Sequence, residues 1–256
     1  MKIQGILQGI IQGVIAASLL LTGANLANAV EITVLSTQAT EQACRELLPQ
    51  FEKATGNTVK IGYTGTLDAK KRIAAGEFFD VLIMASPEIE EFLASGKLAA
   101  GSRVDIAKSG VGIGVKAGAP KPDISTTEAF KKTLLAAKSI GYSTGPSGNY
   151  VIGLFERLGI ADQVKPKLKQ TPTGVFVGTI TASGEAEIGI QQVSEMAQFP
   201  GVDYVGPLPA DIQKMTVFTS GVAANAKEPA AGKALLKFIT SPDAAASFKK
   251  RGMEPG

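Results

Sequence analysis

Strand-like and helix-like segments alternate along most of this chain, and that alternation restricts its fold more than any other feature. A strand is predicted at Ile32–Leu35 and a helix at Glu41–Thr55, followed by a strand at Thr58–Tyr63 and a helix at Leu67–Ala75. A glycine follows each helix, in a position suited to the left-handed residue that ends helices. Regular alternation of this kind predicts an α/β fold.

The alternating strands and helices fall into two groups, and the chain crosses between these groups twice. A Gly-rich run, Ser109–Val115, either crosses between them or is a weakly packed strand, and a strand at Thr216–Thr219 begins the return. We therefore expect a first lobe of residues 30–107 with 214–256 and a second lobe of residues 108–213. Two α/β units joined in this way form a cleft at their strand ends, where ligands bind.

The N-terminal segment has the pattern of a secretory signal. Met1 and Lys2 precede a mainly apolar run over Ile3–Leu21, and Ala27-Asn28-Ala29 offers a cleavage point. Residues 1–29 are therefore predicted to be removed on export, to the periplasm or another exported location. The alternative is an uncleaved anchor, because the run approaches the roughly 20 residues of a spanning helix.

Composition excludes several kinds of site. The chain has no histidine and a single cysteine, Cys44. Cys/His zinc sites, Ser-His-Asp triads and intramolecular disulfides are therefore excluded, and no metal or other cofactor is expected. The net charge is only +3 and the basic residues are scattered, so nucleic acid is a poor partner. These features favour a monomeric binding protein, with Cys44 as a small buried hydrophobe.

Hydroxyl-bearing turns follow three strands of the first group, where helices are about to begin. Free N–H groups and the positive end of the helix dipole make such junctions suitable for anions. Simple capping of the helices by Ser or Thr is the alternative interpretation. The candidate ligand-binding residues of these turns are Ser36, Thr37, Thr64, Thr66 and Ser86.

The second group contains the densest cluster of small donors, the segment Tyr142–Tyr150. It lacks the G-K-[ST] ending of a nucleotide-binding P-loop. Two glutamines close a later strand facing the same region, although strand alternation should turn one of them away. Arg103 could hold a carboxylate with two hydrogen bonds, or it is a solvated surface residue. The candidates from these segments are Ser143, Thr144, Ser147, Gly148, Tyr150, Gln191, Gln192 and Arg103.

Several stretches together carry a family resemblance. They are Ile32–Leu35, Arg72–Gly76, Phe79–Ala85, Pro146–Tyr150, Gly184–Ile190 and Phe238–Pro242. With these stretches the chain resembles the periplasmic molybdate-binding-like branch of ABC-transporter solute-binding proteins. The resemblance implies the two-lobed Venus-flytrap fold of type II periplasmic binding proteins, each lobe a mixed sheet flanked by helices. It also implies hinge closure over a small anionic ligand and a membrane permease as partner.

The chain departs from that family's pattern at two ligand-gripping positions. Ala39 stands where molybdate binders have a serine, and Gln192 stands where they have a tyrosine. The resemblance therefore implies an altered site for a larger polar anion, such as an organic di- or tricarboxylate.

The same branch also resembles aconitate isomerases, which are exported enzymes on this scaffold. An enzyme that moves an allylic proton is therefore the alternative to a binding protein. Without histidine, its base would be Glu195, Lys70 or Tyr150, with a pKa moved toward neutrality by burial and neighbours. A purely structural secreted module is a third possibility.

Overall fold

The computed structural model describes residues 29–256, so residues 1–28 of the predicted signal segment lie outside the described residues. Eleven strands are described there: β1 (Glu31–Thr37), β2 (Thr58–Thr64), β3 (Val81–Ala85), β4 (Val104–Ser109), β5 (Val111–Lys116), β6 (Ile140–Tyr142), β7 (Leu168–Gln170), β8 (Ile188–Gln192), β9 (Val202–Pro207), β10 (Thr216–Val222) and β11 (Glu254–Pro255). The α-helices are α1 (Glu41–Thr55), α2 (Thr66–Ala74), α3 (Ser86–Ala94), α4 (Thr127–Ala136), α5 (Pro146–Arg157), α6 (Ala161–Val164), α7 (Val177–Ala182), α8 (Val193–Met196), α9 (Pro229–Ile239) and α10 (Pro242–Lys250).

The strands form two separate mixed sheets. The first has the order β11-β4-β10-β3-β1-β2, in which β1 runs parallel to β2 and β3, and β10 runs antiparallel to β3 and β4. The second has the order β7-β6-β8-β5-β9, in which β6 is parallel to β7 and β8, and β5 is antiparallel to β8 and β9. We call the elements of the six-stranded sheet the first lobe and those of the five-stranded sheet the second lobe.

Helices cover both sheets and give each lobe its own core. In the first lobe, α1, α9 and α10 bury Phe51 and Phe248 against the central strands. In the second lobe, α4 and α5 bring Phe130 and Phe155 together with the apolar residues of β5, β6 and β8. Each lobe can thus hold its own shape while its neighbour moves, which is what hinge closure requires.

The chain passes between the lobes twice. The first pass runs from β4 through Gly110 into β5, and the second runs from β9 to β10. Gln213, on the second pass, bonds the first: its amide oxygen accepts from Val111 N at 2.8 Å and its amide nitrogen donates to Val111 O at 3.0 Å. The lobe boundaries expected at residues 107/108 and 213/214 stay a prediction.

Several local predictions from the sequence are confirmed. Gly56 and Gly76 follow α1 and α2 with φ of 77° and 87°, a backbone conformation that glycine adopts without strain. Cys44 is buried in the core of the first lobe, and burial raises the pKa of its thiol to about 11. In the described part of the chain, no helix is long and apolar enough to cross a membrane.

Candidate functional site

Five strand ends converge on one small cavity between the lobes. The segments after β1 and β2 form one wall, and the segments after β6, β7 and β8 form the other. The volume of this cavity is about 40 Å³. The lining residues are Thr37, Gln38, Ala39, Thr64, Gly65, Thr66, Ser143, Thr144, Gly145, Pro146, Ser147, Pro172, Gly174, Val175, Gln191, Gln192, Glu195 and Phe218.

The first-lobe wall presents an uncapped helix start. Gly65 precedes α2 in extended conformation, and no side chain of residues 29–256 caps the first N–H groups of this helix. The hydroxyl of Thr64 instead donates to Asp68 Oδ2 at 2.6 Å, and Thr66 is the first helical residue. The N–H groups of the first turn therefore remain available to an anion in the cavity.

Thr37 and Ser36 face different surroundings although they are neighbours on β1. Thr37 borders the cavity, is 6% exposed, and its Oγ1 has no hydrogen-bond partner among the described residues. Ser36 does not line the cavity: its hydroxyl lies 2.8 Å from Thr40 Oγ1 inside the first lobe. The prediction that both hydroxyls reach the ligand therefore fits Thr37 and not Ser36, because successive side chains of a strand point to opposite faces.

The second-lobe wall is the start of α5, which begins at Pro146. Ser143 Oγ accepts from Gly145 N at 3.2 Å and lies 3.4 Å from Ser147 Oγ. Among the described residues no side chain caps α5, so the N–H groups of Ser147 and Gly148 in its first turn are available to the cavity, whereas Pro146 has no N–H group.

Gly148 has a structural role beneath this wall and does not line the cavity. A Cβ atom built on it would lie 1.7 Å from Ser143 O, so the turn before α5 can pack on the helix only because residue 148 has no side chain. The close backbone contact at Gly148 therefore shapes the loop, and a ligand contact through the Gly148 N–H group stays a prediction.

The turn after β7 completes the second wall, and the sequence analysis missed it. Pro172, Gly174 and Val175 line the cavity, and Gln38 Nε2 of the first lobe donates to Gly174 O at 2.8 Å. This bond joins the two lobes across the cavity. The other turns were predicted from hydroxyl-bearing residues and a glycine that directly follow a strand. Thr171–Gly174 has the same pattern.

Both adjacent glutamines contact the cavity, although strand alternation predicted that one would turn away. Gln191 Oε1 accepts from Val177 N at 2.8 Å, which ties β8 to α7. With the Gln192 amide oriented to satisfy its neighbours, its nitrogen donates to the carbonyls of Ser109 and Gly110, and its oxygen accepts from Thr216. Gln192 is the last strand residue, so its side chain reaches both interlobe passes and links the cavity to the hinge.

Glu195 is the ionisable side chain among the cavity-lining residues of the described chain. Burial, with a smaller contribution from the negative charge of Glu41, raises the pKa of Glu195 to about 8. Hydrogen bonds from the Gln192 backbone and the Gln191 side chain oppose that rise. A carboxyl group with this pKa exchanges its proton near neutral pH.

Four other candidates lie away from the cavity. Ser86 and Tyr150 line a neighbouring groove, and Tyr150 donates its hydroxyl to Ile212 O at 2.7 Å. Arg103 forms ion pairs with two carboxylates of the first lobe and donates to Ser86 Oγ at 3.1 Å. Lys70 is paired with Glu91 at 2.6 Å on the surface of α2. These contacts direct the four side chains to partners outside the cavity.

The lining is nearly free of charge and of metal ligands. None of the described residues that border the cavity is a lysine or an arginine. Within residues 29–256, no group of three potential metal-binding side chains occurs. The donors are hydroxyls, amides and backbone N–H groups, which suit an anion held by hydrogen bonds.

Comparisons with known proteins agree with this architecture. The sequence profile described as "Bacterial extracellular solute-binding protein" matches residues 32–254. Aconitate isomerase of Pseudomonas sp. is 37% identical over 230 residues, which cover 88% of this chain and 87% of the relative. The molybdate-binding protein ModA of Escherichia coli (strain K12) is 24% identical over 242 residues, which cover 93% and 94%. The solved periplasmic molybdate-binding protein of Azotobacter vinelandii superposes with a TM-score of 0.73 at 22% identity, covering 87% of this chain and 98% of that one.

Proposed function

Because the chain belongs to the bacterial extracellular solute-binding protein family, we propose that it captures a small anion in the cavity between its lobes. The ligand is held by hydroxyls and backbone N–H groups, and the lobes close over it. In this role the protein is exported after cleavage near Ala29 and delivers its ligand to the membrane permease of an ABC-type uptake system.

One observation carries this proposal: the unpartnered hydroxyl of Thr37 at the cavity. A buried hydroxyl without a partner is costly, and such groups are rare in folded proteins. Thr37 Oγ1 lies on the same cavity as the uncapped starts of α2 and α5. An anion there would accept hydrogen bonds from the Thr37 hydroxyl and from the N–H groups of both helix starts. All of these donors would then have a partner once the ligand is bound.

We propose an organic acid, rather than a tetrahedral oxyanion, as the preferred ligand class. The relative named for an organic acid substrate shares 37% identity, whereas the molybdate-binding relative shares 24%. The cavity also includes Ala39, which has no hydroxyl to offer, and Glu195, whose carboxyl can donate a hydrogen bond when it is protonated. A thermal-shift panel of molybdate, sulfate, cis-aconitate and trans-aconitate tests the class, and a purely structural module predicts no shift with any of them.

Replacing Thr37 with valine should weaken anion binding while leaving the ligand-free protein intact. The change keeps the shape of the side chain and removes a hydrogen bond to a charged ligand, which contributes about 1.5–3 kcal/mol. The stability of the ligand-free protein should stay the same or rise by up to about 1 kcal/mol, because an unpartnered buried hydroxyl is lost. Titration calorimetry with the anion from the panel that gives the largest shift measures the affinity, and urea unfolding measures the stability.

Thr171→Val is the matched control for that change. Thr171 Oγ1 is also buried without a partner among the described residues, but Thr171 does not line the cavity. Its substitution should leave the affinity unchanged. Equal losses of affinity in Thr37→Val and Thr171→Val would contradict ligand contact by Thr37.

Glu195 favours a second candidate function, an aconitate-isomerase-like enzyme. In its ionised form Glu195 would take a proton from the methylene carbon next to a substrate carboxylate, and the electron pair would spread over the allylic system. The protonated Glu195 would then return the proton at the far carbon of that system, so the double bond moves by one position. The step needs no oxidant, reductant or second base, and a carboxyl with a pKa near 8 suits it.

Incubation with cis-aconitate separates the two functions. An enzyme would form trans-aconitate at catalytic protein concentrations, and kcat/KM would rise as the pH approaches the pKa of about 8 and level off above it. Glu195→Gln should abolish turnover while it retains binding. Chromatography detects any trans-aconitate that forms. If cis-aconitate shifts the melting temperature and no trans-aconitate is formed, the protein is a binding protein and not an isomerase.

A further inference from the structure

Glu195 poses an electrostatic problem for an anion site. The side chain borders a cavity that the two lobes close, and the described lining contains no lysine or arginine to offset a negative charge. An ionised carboxylate in that position would repel an anion strongly, because two like charges in a partly buried site are poorly screened. Binding is therefore favourable only when this carboxyl is neutral.

We propose that Glu195 carries a proton whenever an anion occupies the cavity, so that the protein takes up the anion and a proton together. This inference rests on the proposed function of anion capture, and it excludes the isomerase alternative, in which Glu195 is ionised when the substrate is bound. The protonated carboxyl is a hydrogen-bond donor, and it adds one more donor to the hydroxyls and N–H groups of the two walls. Glu195 thus becomes a specificity-determining residue, which favours ligands with an oxygen that can accept this bond.

The surroundings of Glu195 support a neutral carboxyl. Gly252, after α10, lies against Val193 of α8, and its neighbour Arg251 donates to Glu46 Oε2 at 3.1 Å. The other elements with extensive contacts to α8 are β5, β8, β9, α7 and the turn Gln38–Thr40. Of these, β8, α7 and the turn contain no charged residue. The charged group that acts on Glu195 is Glu41, which is negative and raises its pKa further, although Glu41 is itself paired with Arg45 at 2.7 Å.

The remaining titratable groups on the packed strands are engaged elsewhere. Asp203 of β9 accepts from Gly118 N at 2.9 Å, and Tyr204, also of β9, has a pKa that burial raises to about 12. Lys116 is exposed at the far end of β5. None of the three is among the groups that set the pKa of Glu195.

Affinity for an anion should therefore fall as the pH rises through the pKa of Glu195. With a pKa of about 8 in the ligand-free protein, the dissociation constant should increase by about tenfold between pH 7 and pH 9. At pH 9 about one proton should enter with each anion, which calorimetry in two buffers of different ionisation enthalpy measures. Molybdate and cis-aconitate serve as the probes, one for each ligand class.

Glu195→Gln keeps a donor at the same place and removes the titration. The variant should bind the probe with an affinity that is constant from pH 7 to pH 9 and without proton uptake. Glu88→Gln is the matched control, because burial also raises the pKa of Glu88, which lines the neighbouring groove. This control should retain the tenfold dependence of the wild type.

A second readout does not depend on any ligand. The pKa of Glu195 is raised in the folded state, so the folded protein binds more protons than the unfolded chain between pH values of about 5 and 8. The contribution of Glu195 to stability is therefore full below about pH 5 and is lost as the pH rises to about 8. The melting temperature of the wild type should fall over this range more steeply than that of Glu195→Gln.

The outcomes separate the inference from the proposed function. Binding of either probe with the same affinity at pH 7 and pH 9 would overturn proton-coupled capture and leave anion binding standing. Proton uptake that persists in Glu195→Gln would overturn the assignment to this residue. If neither probe binds the wild type at any pH, the proposed function fails, and the inference fails with it.

Discussion

Gly148→Ala is expected to destabilise the protein by about 3 kcal/mol or more and to abolish anion binding. The added methyl group would lie 1.7 Å from Ser143 O and 2.7 Å from Ser143 C. These are backbone atoms, which cannot rotate away as a side chain can, so the turn before α5 has to move. The moved turn carries Ser143, which lines the cavity beside Ser147 of α5, so stability and binding should be lost together.

Gly153→Ala is the control in the same helix. A Cβ atom at residue 153 would meet only the end of the Arg157 side chain, at 3.5 Å. Alanine is a better helix former than glycine, so this change should stabilise the protein by about 0.5–1 kcal/mol. Urea unfolding measures both variants, and an unchanged stability in Gly148→Ala would contradict the close contact beneath the cavity wall.

Asp80→Ala is expected to cost about 3–5 kcal/mol of stability. Asp80 is 1% exposed, and its carboxylate accepts from Thr33 N at 2.9 Å, Lys227 N at 2.8 Å and Glu228 N at 3.1 Å. The three N–H groups lie on β1 and on the segment before α9, so this side chain holds together distant parts of the first lobe. Alanine would leave the three part-buried N–H groups without this acceptor.

Asp123→Ala provides the comparison for that change. Asp123 is exposed and accepts from Ser125 N at 2.9 Å, a local bond that water can replace. Its removal should change the stability by less than about 1 kcal/mol. Circular dichroism measures the melting temperature of each variant. Similar melting temperatures for the two variants would contradict the role of Asp80.

The fold was predictable from the sequence because long periodic segments carry most of it. The first helix was predicted at Glu41–Thr55 and is found with those bounds, and the two-lobed architecture is confirmed by the solved relatives. Short elements were not predictable. The strand β7 has only three residues, two of them polar, so it has no hydrophobic run that would indicate a strand.

Missing β7 is also why one turn of the second wall of the candidate site was missed. The rule that hydroxyls and glycine after a strand mark a ligand turn found Thr37, Thr64 and the segment Tyr142–Tyr150. The same rule would have found Thr171–Gly174 if the preceding strand had been recognised. A short edge strand is specified by pairing with β6, which is a tertiary contact that local sequence does not encode.

The direction of individual side chains was the second feature that the sequence could not predict. Ser36 and Thr37 have the same chemistry and adjacent positions, yet the position of β1 in the sheet decides which one faces the cavity. Tyr150 lies one helical turn after Ser147 on α5, but its hydroxyl reaches Ile212 on the returning pass. The raised pKa of Glu195 likewise depends on burial between two lobes, which only the assembled fold creates.

A crystal structure of the protein, equilibrated with the anion of the thermal-shift panel that binds most tightly, tests the central claim most directly. We predict electron density for the anion in the interlobe cavity, with oxygens within hydrogen-bond distance of Thr37 Oγ1 and of the N–H groups at the starts of α2 and α5. Density for the anion outside this cavity, with the cavity holding only water, would contradict the account.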